Sequence, residues 1–159
     1  MTLKAQAQIA LAGIAPFAQG SQSLDVAENV GRLTAEIVAL DALALAFEHV
    51  TLTANALASA PIDRLKQVAD ALSKRLTYLL EPISPIEVDA DQCVVQLRSN
   101  PPQRDDNGTR YYELLVRRGG ELSLRRFEKK AGGTRQPIHA HVTREVFLRL
   151  VDDFSAVAG

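Results

Sequence analysis

The chain changes hydrophobic pattern at Glu81-Pro82-Ile83-Ser84-Pro85, and this stretch decides the predicted fold. Before it, apolar residues recur at spacings of three and four, which is typical of helices. After it, apolar and polar residues alternate, which is typical of strands with one buried face. The two prolines also interrupt helical geometry. The sequence therefore predicts an α+β fold in which a helical half precedes a sheet.

The first half of the chain predicts two antiparallel helices. A helical pattern begins after Ser23, runs from Leu24 to Ser59 and stops before Pro61, and a second one covers about Ile62 to Leu80. Pro61 suits the start of a helix, because the amide hydrogen that proline lacks would have no partner there. A short connection makes two such helices neighbours. We therefore expect an N-terminal antiparallel helical hairpin over residues 23–81.

The second half predicts an antiparallel meander of four or five strands and a C-terminal helix. The strand candidates are Ile86–Asp89, Cys93–Ser99, Thr109–Arg118, Glu121–Lys129 and Gln136–Val142. Gly119-Gly120 indicates a hairpin, and a three-residue connection that pairs residue 118 with residue 122 gives this hairpin one apolar face. That face would hold Tyr112, Leu114, Val116, Leu122 and Leu124. Thr143 is placed to cap the last helix.

Length and composition are those of one globular domain. Of the 159 residues, 47% are hydrophobic and 23% are charged, which suffices for a core without disulfides or metals. We expect a single domain over residues 23–159, with the helical hairpin at 23–81 and the sheet and final helix at 82–159. Residues 1–22, rich in Ala and Gln, are expected to be flexible or to form a short helix.

The cysteine count and the apolar runs bear on the compartment. The single Cys93 excludes an internal disulfide and a cysteine-based zinc site. No apolar run approaches the roughly 18 residues that a membrane-spanning helix needs. The N-terminal apolar stretch is interrupted by Gln6 and Gln8 and makes a poor signal peptide. We expect a cytoplasmic protein with no membrane partner and no cofactor.

The middle of the first predicted helix is apolar on most of its sides. Residues 35–47 contain only two charged side chains, Glu36 and Asp41. A helix that is apolar all round must be covered all round, and one further helix and a sheet face would not suffice. We therefore expect a homodimer in which two hairpins form a four-helix bundle. The residues expected at this interface are Leu33, Ile37, Val38, Leu40, Leu43, Leu45 and Phe47.

Charge is distributed unevenly along the chain. Residues 1–90 hold six Lys and Arg against ten Asp and Glu, whereas residues 110–149 hold ten against four. In segment 110–135 the cations alternate with aromatics, a pattern that can neutralise phosphates and stack on bases. Glutamates dilute this positive charge, and the same face could instead bind a small anion. Its candidate residues are Tyr111, Arg117, Arg125, Phe127, Lys129, Arg135, His139 and His141.

The sequence contains no specific catalytic, nucleotide or metal motif. His139 and His141 would point the same way from a strand, but zinc requires a third ligand, and we expect no metal. Three hypotheses follow. The leading one is a non-enzymatic binding or scaffold protein that self-associates through its helical hairpin. The others are a nucleic-acid-associated protein that uses residues 110–135, and a binder of, or enzyme for, a small anionic ligand. Distant residues can converge into an active site, so an enzyme stays among the alternatives.

Overall fold

The computed structural model describes all of residues 1–159 and contains three α-helices and a ten-stranded antiparallel sheet. The helices are α1 (Leu3–Ala12), α2 (Ile62–Arg75) and α3 (Arg144–Ala158), and a 3-10 helix covers Asn55–Leu57. The strands are β1 (Gln22–Glu28), β2 (Gly31–Leu40), β3 (Ala44–Ala54), β4 (Ile83–Asp89), β5 (Val94–Ser99), β6 (Gln103–Asp105), β7 (Gly108–Arg117), β8 (Glu121–Lys129), β9 (Gln136–Ile138) and β10 (Ala140–Thr143). The fold is thus α+β, with the sheet as its main element.

The predicted helical hairpin over residues 23–81 is wrong. Strands β1, β2 and β3 occupy most of the segment assigned to its first helix, and α2 is the only α-helix within residues 23–81. The strand order is β1-β2-β3-β8-β7-β5-β4. The sheet crosses the predicted boundary at residue 82, because residues 49–53 of β3 pair with residues 121–125 of β8. One sheet therefore unites both halves of the chain.

Two β-bulges explain why this strand segment has an apolar spacing that resembles a helix. In β2 the buried residues alternate from Leu33 to Ile37, and an extra residue then shifts the register before Ala39. In β3 an extra residue between Phe47 and Val50 turns a spacing of two into a spacing of three. A bulge leaves two residues opposite one and so breaks the strict alternation of faces. Strand pairing here overrides the helix propensity of the alanines.

Gly31 marks the place where a continuous helix fails. The β1–β2 hairpin pairs Glu28 with Gly31. Gly31 has a φ of 152°, and a Cβ at this position would lie 2.1 Å from the carbonyl oxygen of Thr53. The backbone of β3 therefore approaches so closely that only glycine fits.

The β2–β3 turn is closed by Asp41. Its carboxylate accepts hydrogen bonds from the amides of Leu43 and Ala44, both at 2.8 Å, which is the geometry of an Asx turn. These two bonds lower the pKa of Asp41 below its ordinary value. The turn thus has a local cause in the sequence, although its chain neighbours favour a helix.

Most residues expected at a self-association interface are buried within the chain itself. The buried ones are Leu33, Ile37, Val38, Leu40, Leu45 and Phe47. The exception is Leu43, which is 79% exposed at the β2–β3 turn. Strand β10 and helix α3 contact β3 and cover part of this apolar surface. Self-association was expected because a helix that is apolar on all sides needs a cover. That helix is absent, so these residues do not support self-association.

The three helices form one layer against the sheet, because α3 contacts both α1 and α2 and each helix contacts strands. Helix α2 begins at Ile62, as predicted, but ends at Arg75 and not at Leu80. Thr143 caps α3 as predicted, since its hydroxyl accepts a hydrogen bond from the amide of Val146 at 3.0 Å. None of these helices combines the length with the apolar character that a bilayer crossing requires.

The β7–β8 hairpin has the predicted apolar face but a different register. Its connection is three residues long, as predicted, but it pairs Arg117 with Glu121 and does not pair residue 118 with residue 122. The partner of each residue moves by two positions, which leaves the faces unchanged. The side chains expected on the apolar face are all buried: Tyr112, Leu114, Val116, Leu122 and Leu124.

Strands β9 and β10 fill a fork in the sheet. The second half of β3 pairs with β8, whereas its first half pairs with β10. Strand β8 likewise pairs with β9 through residues 126–128. Residues 136–143 therefore lie between β3 and β8 where these two strands diverge, and we call them the wedge strand. The wedge strand carries His139 and His141.

Candidate functional site

A cavity of about 880 Å³ opens between four segments of the chain. They are residues 16–18, residues 39–46 around the β2–β3 turn, residues 78–80 after α2, and residues 141–146 where β10 meets α3. Thirteen of the 17 residues that line this cavity are hydrophobic. It therefore favours an apolar occupant, and we call it the apolar lobe.

A smaller space of about 440 Å³ adjoins the apolar lobe. The two spaces share the lining residues Leu79, Leu80, Tyr112 and His141. Only three of the 11 residues that line the smaller space are hydrophobic. We call it the polar lobe, and its polar lining residues are Glu81, Gln103, Tyr112, Arg126, His139 and His141.

Arg126 and Glu81 form a buried ion pair in the polar lobe. The guanidinium donates hydrogen bonds to the two carboxylate oxygens of Glu81 at 3.2 and 2.9 Å and to the amide oxygen of Gln103 at 3.1 Å. The side chains of Arg126 and Glu81 are only 10% and 11% exposed. The guanidinium also lies 4.5 Å from the centre of the Tyr112 ring, a favourable cation–π arrangement. The two charges therefore neutralise each other inside the lobe.

Tyr112 presents a free hydroxyl where the two lobes meet. The residue is 4% exposed, and its backbone amide donates to the Ser99 hydroxyl. The phenol oxygen has no hydrogen-bond partner in the chain. Only one side-chain nitrogen or oxygen is both enclosed and without a partner, and this atom is Arg98 Nε. The phenol oxygen is therefore not enclosed. It is therefore open to the cavity that Tyr112 lines. Burial raises the pKa of Tyr112 above its ordinary value, so the hydroxyl stays protonated and can donate.

Two exposed leucines lie at the entrance of the apolar lobe. Leu80, which lines the cavity, is 96% exposed and has a φ of 67°. This left-handed conformation costs a residue with a side chain about 1–2 kcal/mol. Leu43 lies in the turn between the lining residues Asp41 and Ala44. Two large apolar side chains are therefore exposed beside the apolar lobe.

Tyr78 lines the apolar lobe and is fixed to α3. Its hydroxyl donates a hydrogen bond to Asp153 at 2.6 Å, and Asp153 also pairs with Arg75 at 3.1 Å. The Arg149 guanidinium lies 4.3 Å from the centre of the Tyr78 ring. Burial, reinforced by the hydrogen bond to Asp153, raises the pKa of Tyr78 above its ordinary value of 10.0. The hydroxyl is therefore a hydrogen-bond donor throughout the neutral range.

We expect Tyr78→Phe to lower the free energy of unfolding by about 1–2 kcal/mol near neutral pH, because it removes a hydrogen bond to a carboxylate. The pKa of Tyr78 is higher in the folded chain than its ordinary value of 10.0, which applies to the unfolded chain. The hydrogen bond therefore contributes fully to stability below pH 10.0, and its contribution declines as the pH rises above that value. The stability difference between the unaltered chain and Tyr78→Phe should therefore be constant from about pH 7 to about pH 10 and shrink above it. Urea unfolding across this range measures it, and a difference that did not shrink would contradict the assigned role.

The predicted basic face is not a free binding surface where its aromatics lie. The ring centres of Tyr111 and Phe127 are 6.0 Å apart on the outer face of the sheet, and both residues are buried. The Arg135 guanidinium lies 3.9 Å from the centre of the Phe127 ring and pairs with the buried Glu113 carboxylate at 2.5 Å. These groups satisfy one another and leave little ring surface for a ligand.

The remaining predicted site residues lie in separate places. Arg117 pairs with Glu121 at 2.6 Å, while Arg125 and Lys129 are exposed on the outer surface. His139 and His141 both line the polar lobe. No three side chains of His, Cys, Asp or Glu in the structure are grouped to hold a metal ion. Of the residues predicted for the ligand-binding face, only the two histidines thus belong to the cavity, and of those predicted for self-association, Leu40 and Leu45 line the apolar lobe.

Several cavity residues escaped sequence reasoning. Tyr112 is predicted only on the apolar face of the β7–β8 hairpin, and Arg126 is not among the predicted candidate residues. The segment 78–81 was assigned to the end of α2. The sequence carries no motif that links these residues, because they lie on separate segments that meet only in the fold.

Comparison of the chain with protein-family models, with curated proteins and with solved structures finds no match. The joined lobes are therefore the feature from which a function can be inferred. An apolar space that leads into a polar one can hold a molecule with an apolar body and a polar end. The apolar lobe would supply affinity, and the polar lobe would orient the molecule.

Proposed function

We propose that this is a non-enzymatic binding protein that holds a small amphipathic molecule, with its apolar body in the apolar lobe and its polar end in the polar lobe. The junction of the lobes at Leu79, Leu80, Tyr112 and His141 carries the proposal. Small-molecule sites are typically concave, mostly apolar spaces of about 300–1,000 Å³ with a few placed polar groups. The proposal includes a cytoplasmic location, supported by the single free thiol of Cys93.

A binding role is favoured over catalysis by the pairing of the charged groups. Glu81 and Arg126 are the only carboxylate and guanidinium that line the polar lobe. Both are held in the same ion pair, so no unpaired carboxylate lines the polar lobe to serve as a general base. The polar lobe therefore suits recognition of a polar group better than its conversion.

The two other hypotheses draw less support from the contacts. Salt bridges neutralise four of the basic residues in segment 110–135, namely Arg110, Arg117, Arg126 and Arg135. The aromatics of that segment are buried, so they offer no platform for base stacking. The residues proposed for self-association are also mostly buried.

Affinity should depend on the length of the apolar body. Each methylene moved from water into an apolar site contributes about 0.8 kcal/mol, which is about fourfold in the dissociation constant. A series of straight-chain ligands should therefore bind more tightly with each added carbon until the apolar lobe is full. A binding constant that ignores chain length would count against this occupant.

We expect Ala44→Trp to weaken binding of the neutral apolar probe N-phenyl-1-naphthylamine by at least about tenfold, because the indole would fill space in the apolar lobe that Ala44 lines. A fluorescence titration measures the affinity. Ala156→Trp is the matched control, since Ala156 is exposed on α3 and lines neither lobe. Circular dichroism of both variants checks that the fold is kept.

Two results would oppose the proposal. One is the absence of probe binding to the unaltered chain at tens of micromolar, and the other is equal binding by Ala44→Trp and Ala156→Trp. A dimer in light scattering whose formation expels the probe would assign the cavity to a second copy of the chain instead.

A further inference from the structure

We propose that the polar end of the ligand is a carboxylate and that the Tyr112 hydroxyl donates a hydrogen bond to it. This inference rests on the proposed function and adds the chemical class of the ligand, a monocarboxylic acid with an apolar body. It follows from the balance of donors and acceptors in the polar lobe.

The Tyr112 hydroxyl is the first observation. It belongs to a side chain that is almost wholly buried, lines both lobes and has no hydrogen-bond partner in the chain, although it is open to the cavity. Buried hydroxyls are normally hydrogen-bonded. A ligand oxygen at the junction of the lobes would supply the missing partner.

Arg126 is the second observation. A guanidinium has five N–H groups, and the hydrogen bonds to Glu81 and Gln103 use three of them. The other two have no partner in the chain. Glu81 and Gln103 accept only from these three N–H groups of Arg126, so the other two N–H groups and the Tyr112 hydroxyl are donors without an acceptor in the chain. A ligand group that accepts several hydrogen bonds fits this surplus, and one that only donates does not.

The charge of the lobe selects among acceptor groups. An ammonium head has no acceptor, so it could not satisfy the Tyr112 hydroxyl or the free N–H groups of Arg126. A phosphate head would bring about two negative charges to a lobe whose guanidinium is already paired with Glu81. A carboxylate brings one negative charge and two coplanar oxygens, which suit the phenol and the free N–H groups of Arg126. The geometry therefore favours the carboxylate.

The test compares decanoate with decan-1-ol, decylamine and decyl phosphate on the full chain, by displacement of N-phenyl-1-naphthylamine. We expect decanoate to bind at least about tenfold more tightly than decan-1-ol, because hydrogen bonds to a charged acceptor are the stronger ones. Decylamine should bind more weakly than decan-1-ol. Decyl phosphate should bind more weakly than decanoate.

Tyr112→Phe removes only the hydroxyl and keeps the ring under Arg126. It should weaken the binding of decanoate about tenfold more than the binding of the neutral probe, because only decanoate accepts a hydrogen bond from the hydroxyl. Tyr111→Phe is the matched control, since Tyr111 is the chain neighbour on the outer face, and it should change neither affinity. If Tyr112→Phe fails to fold, the comparison of acid with alcohol in the unaltered chain still decides the matter.

The outcomes separate this inference from the proposed function. Each of three results would overturn the carboxylate assignment. Decanoate could bind no better than decan-1-ol, or decyl phosphate could bind better than decanoate. The third such result is a Tyr112→Phe variant with unaltered affinity for decanoate. The proposed function would stand in those cases as long as the probe binds. Failure of the probe itself to bind would overturn both.

Discussion

Gly120→Ala is expected to lower the free energy of unfolding by about 3 kcal/mol or more, whereas Gly119→Ala should cost only about 1–2 kcal/mol. Both glycines lie in the β7–β8 connection with similar backbone conformations, φ of 82° for Gly120 and 86° for Gly119. The strain of a side chain at positive φ is therefore common to the two variants. The difference between them isolates the effect of packing.

The space around the two glycines differs sharply. A Cβ at Gly120 would lie 2.5 Å from the carbonyl oxygen of Ala54 and 3.0 Å from the carbonyl carbon of Leu57, both backbone atoms that cannot rotate away. At Gly119 nothing lies within 4 Å. The Gly120 carbonyl also accepts a hydrogen bond from the Ala54 amide at 2.8 Å, so relief of the clash would disturb the end of β3. Urea unfolding of both variants measures the difference, and equal losses would show that the hairpin does not dock against β3 as described.

Arg126→Met is expected to destabilise the fold by about 3–5 kcal/mol, because it leaves the Glu81 carboxylate buried without its partner. Glu81 is 11% exposed and lies where α2 gives way to β4. The substitution removes the two hydrogen bonds that the guanidinium supplies to this carboxylate. The loss therefore reflects an unpaired buried charge more than the strength of the ion pair itself.

A second substitution tests this explanation. Glu81→Leu combined with Arg126→Met removes both charges, and the double variant should recover a large part of the lost stability. Arg117→Met is the matched control on the adjacent strand. Its pair with Glu121 is more exposed, and it should cost no more than about 1 kcal/mol. A double variant that is less stable than Arg126→Met alone would refute the explanation.

The C-terminal half of the fold could be predicted because its signals are local. Gly119-Gly120 sits at a hairpin, Thr143 sits at the start of a helix, and the apolar face of β7–β8 follows from alternation alone. The register differed by two positions, since the sequence does not say which residue of the connection ends the pairing. The buried face of a strand can be predicted more safely than its pairing register, because a register shift of two residues leaves each side chain on the same face.

The N-terminal half could not be predicted from local pattern, because the bulges of β2 and β3 imitate helical spacing. Gly31 was the residue that contradicted the helix, since glycine weakens a helix interior, and its close approach to Thr53 becomes visible only when β2 and β3 are paired. Alanine-rich composition pointed the other way. The decisive interactions are non-local strand pairs.

The site was less predictable than the fold for the same reason. Tyr112 and Arg126 face the cavity through strand pairing, whereas Tyr78 and Glu81 reach it from the connection after α2. These residues are distant in sequence, and no motif links them. The spacing of His139 and His141 indicates that both side chains lie on one face of a strand. The residues around them follow from the position of the wedge strand between β3 and β8, which the sequence does not show.

The position of the wedge strand has a consequence for synthesis on the ribosome. Strand β3 lies in the interior of the sheet, yet the partners of one of its edges, β8 and β10, are not translated until after residue 120. The nascent chain must therefore keep an apolar, unpaired edge while most of its length is already outside the exit tunnel, a state open to misassociation with other chains. The cavity is likewise incomplete until the wedge strand and the first turn of α3, which supplies the lining residue Val146, have been translated.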